Sequence, residues 1–310
     1  MHGSLRFLLA IAVAVSHLGI TIYNYNPGVS AVVIFYLLAG MVAYKLIYNL
    51  YPNQPINYYK DRIKRIFPMY FLALIFSFIV YLLGAKSYFI SAEPTYIEYL
   101  SNIIVIPLSY FMYTGIDKFT LLPPVWSLGV ELQFYLLAPF ILLFTKRVII
   151  LISLSFIIYV LANIGFLHTD YFGYRLLPGV MFIFLIGTLI QKSIYGCLKS
   201  RNILISIYIF IFFLALYVFS TNYKAPFNHE TIFALIVGIP FLYYVKLPKI
   251  KLDKFLGNIS YPIFLYHFPI YWLLEIYYKS TILNVLVLTI IISIISLIIE
   301  RKLIYLLTNK

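Results

Sequence analysis

Apolar runs of about twenty residues recur along nearly the whole of this 310-residue sequence. A helix of that length matches the hydrocarbon thickness of a bilayer, so the runs leave few ways to fold outside a membrane. Composition agrees, with 63% of residues hydrophobic and 11% charged, where a soluble domain carries about 25% charged residues. The runs are too long and too continuous for the short alternating strands of a β-barrel. Ten spans are expected, near residues 5–23, 29–50, 66–84, 125–144, 148–166, 174–191, 203–220, 229–245, 258–275 and 281–299. The expected fold is therefore all-α, a polytopic bundle of about ten transmembrane helices, with residues 1–310 forming one membrane domain. The first run is expected to persist as a helix, because its small residues lie inside the apolar stretch and no cleavage site follows.

The net charge of +13 would suit nucleic acid if it were gathered on one surface, but it is spread through short connections between spans. Eighteen Lys and Arg fall on one side of the expected layer, from Arg6 and the Lys60–Arg65 group to Lys246, Lys249 and Lys310. Five fall on the other, Lys86, Lys118, Arg175, Lys224 and Lys279. This bias places both termini in the cytoplasm, and no nucleic acid is expected as a partner. Cys197 is the only cysteine, which excludes an intramolecular disulfide or a paired-thiol site. Residues 85–124 form a long outer loop whose apolar, Tyr-rich middle is broken by Pro107. It reads equally as an interfacial or re-entrant lid and as a plain loop with aromatic anchors.

Polar residues inside the spans are few and specific. Arg6 and His17 bracket an apolar run, and eleven residues make about three helical turns, so both leave one face about 16 Å apart. His17 then falls about halfway through the layer, where an ionisable group is a functional candidate before it is a packing one. Arg62 and Arg65 share a helical face at the basic end of the third span. Their planar forks suit phosphate, although orientation bias alone would also account for them. Glu131 follows Trp126 by five residues, about 8 Å deeper, and needs a cation, a polar partner or water there. Ser127 and Gln133 add polar groups nearby. His267 lies about 12 Å in from the cytoplasmic side and reads first as a structural histidine bonded across helices. Arg175 reads first as a snorkelling side chain. Together these give a polar centre of His17, Glu131 and His267 behind a basic mouth. A transporter or flippase for a lipid-linked or anionic solute is the alternative, although no paired broken helices support it.

These residues resemble the acyltransferase-3 family of membrane acyltransferases. Arg6 and His17 match an Arg and a His separated by ten intervening residues in its first helix, and Arg62 with Arg65 match its Arg pair. WSLGVELQFY at 126–135, LGNISYPIFLYHFP at 256–269 and PGVSAVVIFYLLAG at 27–40 resemble three further stretches. The chain departs from the pattern at Ser30, Ala39 and Leu132, and a fused esterase-like domain is not expected. The resemblance implies transfer of an acyl group from acetyl-coenzyme A, a donor substrate and not a bound cofactor, to a hydroxyl of an envelope glycan. The acceptor would be a surface polysaccharide, lipopolysaccharide or lipid-linked precursor, at the cytoplasmic (inner) membrane. His17 is then the general base with Glu131 orienting it, and Arg6, Arg62, Lys64 and Arg65 hold the donor. Trp126, Ser127, Gln133, Tyr135, Arg175, Ser260, Tyr261 and His267 stand as acceptor contacts or supports, and no metal is expected.

Overall fold

The computed structural model describes residues 2–245, 251–277 and 280–308. Lys246, Lys249, Lys279 and Lys310, used above for orientation, lie outside the described residues. Twelve α-helices occur among the described residues: α1 Gly3–His17, α2 Pro27–Lys45, α3 Pro55–Leu82, α4 Tyr96–Ile104, α5 Phe111–Thr114, α6 Trp126–Leu142, α7 Thr145–Asn163, α8 Leu177–Ile194, α9 Leu198–Ser220, α10 Asn228–Tyr244, α11 Lys251–Tyr277 and α12 Ile282–Thr308. Local signals start several of them. Asn26 Oδ1 accepts from the Gly28 and Val29 amides at 2.9 and 3.3 Å, with Pro27 in the first turn of α2. Thr95 and Glu98 form a reciprocal capping box on α4.

This is a multi-pass membrane protein. Among the described residues, seven stretches are long and apolar enough to cross a bilayer: Pro27–Leu50, Pro55–Leu82, Pro123–Leu142, Thr145–Asn163, Tyr171–Ile194, Leu198–Ser220 and Ile282–Leu306. The other three expected spans coincide with α1, which is apolar but short, and with α10 and α11. One boundary moves. The first span was expected to run to residue 23, but α1 stops at His17. Gly19 takes φ +89, and the Ile20 amide turns back to the Val15 carbonyl at 3.1 Å, an ending that a glycine tolerates without strain. His17 is thus the last residue of α1 and not a residue within a span that continues to residue 23.

The chain divides into two compact units, and two of the four divisions fall inside α3 and α6. The first contains residues 1–20, 61–129 and 248–310. In it α1 packs along α11, and α11 along α12. The closest approach is between backbones: a Cβ on Gly3 would sit 1.7 Å from the Asp253 carbonyl oxygen, and one on Gly257 would sit 2.8 Å from the Gly3 Cα. Small residues at a helix interface let dispersion act over the greatest length, which is the main attraction available in lipid. Asp253 fastens the same end by accepting from the Ser4 amide and hydroxyl at 2.8 and 2.9 Å. The loop of residues 85–124 is packed here: Ile90, Phe119 and Leu121 join Val80, Phe268 and Trp272 in one buried cluster.

The second unit contains residues 21–60 and 130–247. Its centre is α8, packed against α2, α7 and α9. A Cβ on Gly40 would lie 1.8 Å from the Phe184 carbonyl oxygen, and one on Gly187 would lie 2.0 Å from that of Leu37, so α2 and α8 also meet backbone to backbone. Pro240 removes an amide from α10 and frees the Ile236 carbonyl, which accepts instead from the Tyr208 hydroxyl at 3.0 Å.

Candidate active site

In the first unit, parallel packing of α1 on α11 carries His17 to His267. His17 Nδ1 lies 2.9 Å from His267 Nε2, and His267 Nδ1 lies 3.2 Å from the Ile263 carbonyl oxygen one turn back. The two imidazoles are 5° from parallel, with centroids 5.2 Å apart. That is the separation of two rings joined end to end in one plane through such a bond, since each ring nitrogen lies about 1.1–1.2 Å from its centroid. Phe268 closes one side, 4.9 Å from the His17 ring and 5.1 Å from that of His267. His267 is 1% exposed, whereas His17 is exposed.

The basic residues expected to hold the donor belong to the same unit. Arg6 is half-buried on α1, eleven residues before His17 on one unbroken helix. Arg62 and Arg65 both lie in α3, as their spacing implied. Arg62 is held by its neighbour: its Nε donates to Asp61 at 3.1 Å, and the two side chains form an ion pair. Lys64 and Arg65 are exposed. Glu131 and Gln133 lie on α6 in the second unit, each half-buried.

From residue 4 to residue 301 the sequence matches the family model of an acyltransferase domain, the third of that type. The chain belongs to the acyltransferase-3 family. It is also similar to an uncharacterized protein of Aquifex aeolicus (strain VF5), 37% identical over 203 residues, which covers 63% of this chain and 89% of that one. No solved structure matches. Of the two classes the residues left open, family membership supports a transferase over a transporter.

Within this acyltransferase the remaining candidates divide by what they touch. The Ser127 hydroxyl donates to the Pro124 carbonyl at 3.0 Å, and that of Ser260 to the Gly257 carbonyl at 2.9 Å. Both bonds stay within their own segment and satisfy local backbone. The Tyr261 hydroxyl reaches the Ile66 carbonyl at 3.2 Å and ties α11 to α3. Trp126 is half-buried at the start of α6. Tyr135 is buried and meets the Tyr58 ring edge-on at 6.4 Å. Arg175 is not a simple snorkelling side chain, since its Nε bonds Asp170 at 2.6 Å and its guanidinium lies over the rings of Tyr174 and Phe227.

Two features escaped the reading of the sequence. The bond between His17 and His267 joins residues 250 apart, and no local pattern says that the first and eleventh helices adjoin. Asn102 of the 85–124 loop is fully buried, donating to the Glu98 and Phe119 carbonyls at 2.9 and 3.0 Å and accepting from the Leu121 amide at 2.9 Å. A lone Asn within an apolar loop was the available signal.

Proposed function

We propose that this protein moves an acyl group, acetyl in the simplest case, from cytoplasmic acyl-coenzyme A to a hydroxyl of a cell-envelope or exported glycan. The chain crosses the inner membrane ten times in this reading, with both termini in the cytoplasm. Arg62 and Arg65, with Arg6 and Lys64, hold the donor phosphates at the basic end, where paired guanidiniums suit that chemistry. The pantetheine arm reaches inward to present its thioester near His17. A sugar hydroxyl is a weak nucleophile at neutral pH, so His17 takes its proton as the oxygen attacks the thioester carbonyl. The new C–O bond forms, the C–S bond breaks, and the imidazolium returns its proton to the leaving thiolate, giving the free thiol of coenzyme A. Glu131 keeps the supporting role its motif implies.

The observation that carries this reading is the position of His17. It is an exposed imidazole at the last turn of α1, on the same helix as Arg6 and in the same unit as the Arg pair. The carbonyl end of a helix also favours the positive charge that the base acquires. The test is glycan acylation by His17→Ala at wild-type abundance in the membrane. Loss of the base is expected to cost about 10²–10⁴ in rate, or roughly 3–5 kcal/mol of barrier, with Glu131→Gln costing less. Activity of His17→Ala within a few-fold of wild type would make His17 a packing residue.

A further inference from the structure

Hydrogen-bond polarity assigns the protons along the histidine pair. A carbonyl oxygen only accepts, so the 3.2 Å contact with Ile263 puts the hydrogen of neutral His267 on Nδ1. Its lone pair is then on Nε2, facing His17 Nδ1 at 2.9 Å. That atom must be the donor, and the basic lone pair of His17 is therefore on Nε2. The 5° angle between rings supports this, because a ring nitrogen donates and accepts in the plane of its ring.

We infer that His267 is a positioning residue for the base, holding His17 in the tautomer and orientation whose Nε2 faces the acceptor hydroxyl. An imidazole on its own favours the opposite tautomer, with hydrogen on Nε2 and the lone pair on Nδ1. Which nitrogen is basic is decided by the bond that the other one makes. A base oriented by a third group is the usual logic of such sites. Here that group is a second, neutral histidine. A carboxylate in its place would bring an unbalanced charge into an apolar wall built from Phe264 and Phe268, which is costly in a membrane interior. The pair ends on a backbone carbonyl, so His267 does not carry the proton onward. It strengthens its bond to His17 when the imidazolium forms, because a charged donor bonds more strongly. The proton returns from Nε2 to the departing thiolate.

This inference rests on the acyl-transfer reading above, and the experiment separates the two. His267→Gln places an amide oxygen where it can accept from His17 Nδ1, while His267→Leu has similar bulk and no acceptor. In full-length protein in membranes, the Gln variant is expected to keep kcat within about tenfold of wild type and the Leu variant to lose about 10²-fold. The KM for the acyl-coenzyme A donor should be unchanged in both. With ¹⁵N-labelled histidine, His17 should show hydrogen on Nδ1 in wild type and in the Gln variant, and should lose that signature in the Leu variant. Equal activity of the Gln and Leu variants, or a wild-type His17 with its hydrogen on Nε2, would overturn the inference even if His17→Ala is inactive. An active His17→Ala protein would overturn the acyl-transfer reading itself. Should the Leu variant fail to fold, the tautomer in wild type and in the Gln variant decides the matter.

Discussion

Arg62 and Arg65 leave α3 about one turn apart, and Asp61 already engages the first of them. A phosphate that binds there competes with a neighbouring carboxylate, and it gains by offering more acceptor oxygens to the same planar forks. Charge-assisted bonds of this kind contribute roughly 1.5–3 kcal/mol each. Each Arg→Ala change is therefore expected to weaken acyl-coenzyme A binding about tenfold or more. The double variant should also lose much of the salt dependence of binding. Titration of coenzyme A into purified protein at two ionic strengths measures both. Unchanged affinity in the double variant would return the pair to a role in membrane orientation.

At the scale of elements, the loop of residues 85–124 is pinned by a buried amide as well as by its apolar cluster. Asn102, at the end of α4, bonds two carbonyls and an amide, and its own carbonyl accepts from the Tyr70 hydroxyl of α3. The Ser77 hydroxyl of α3 reaches the Leu121 carbonyl alongside. Asn102→Leu keeps the bulk but leaves the Phe119 carbonyl and the Leu121 amide without their side-chain partner in a buried site. Each such group costs about 1–3 kcal/mol, so a loss of roughly 2–6 kcal/mol is expected. A fall of several degrees in the thermal midpoint in detergent would register it. A variant that melts with wild type would mean that the loop is held by its apolar cluster alone. The exposed Tyr96, Ile97, Tyr99, Leu100, Ile103 and Ile104 of α4 fit an element lying at a membrane surface, one of the two readings its sequence allowed.

For the whole molecule, the asymmetry of eighteen basic residues to five predicts the direction in which the chain is inserted. In a Cys197→Ser background, single cysteines in residues 85–124 should react with an impermeant reagent in intact cells. Those in 251–257 should react only after the membrane is opened. The reverse pattern would put the Arg pair outside and remove coenzyme A as its partner, since that donor is cytoplasmic in the proposed reading.

The sequence by itself determined that this is a helical membrane protein of the acyltransferase-3 family. Apolar length, Asn26 and Pro27 before α2, and the Thr95–Glu98 box are local signals, and the spacings of Arg6 to His17 and Arg62 to Arg65 became fixed once helices formed. What only the tertiary structure decided is which helices touch. His17 meets His267 because Gly3 and Gly257 let α1 and α11 approach at their backbones, and two glycines in a sequence do not name each other. The end of α1 at His17 followed from a turn at Gly19 that the unbroken hydropathy of the segment concealed. Asn102 became a hub through residues 17 and 19 positions away, brought back by a loop whose path its composition does not specify. Periodicity fixes the faces of a helix, whereas the choice of neighbour depends on close packing that no short stretch of chain contains.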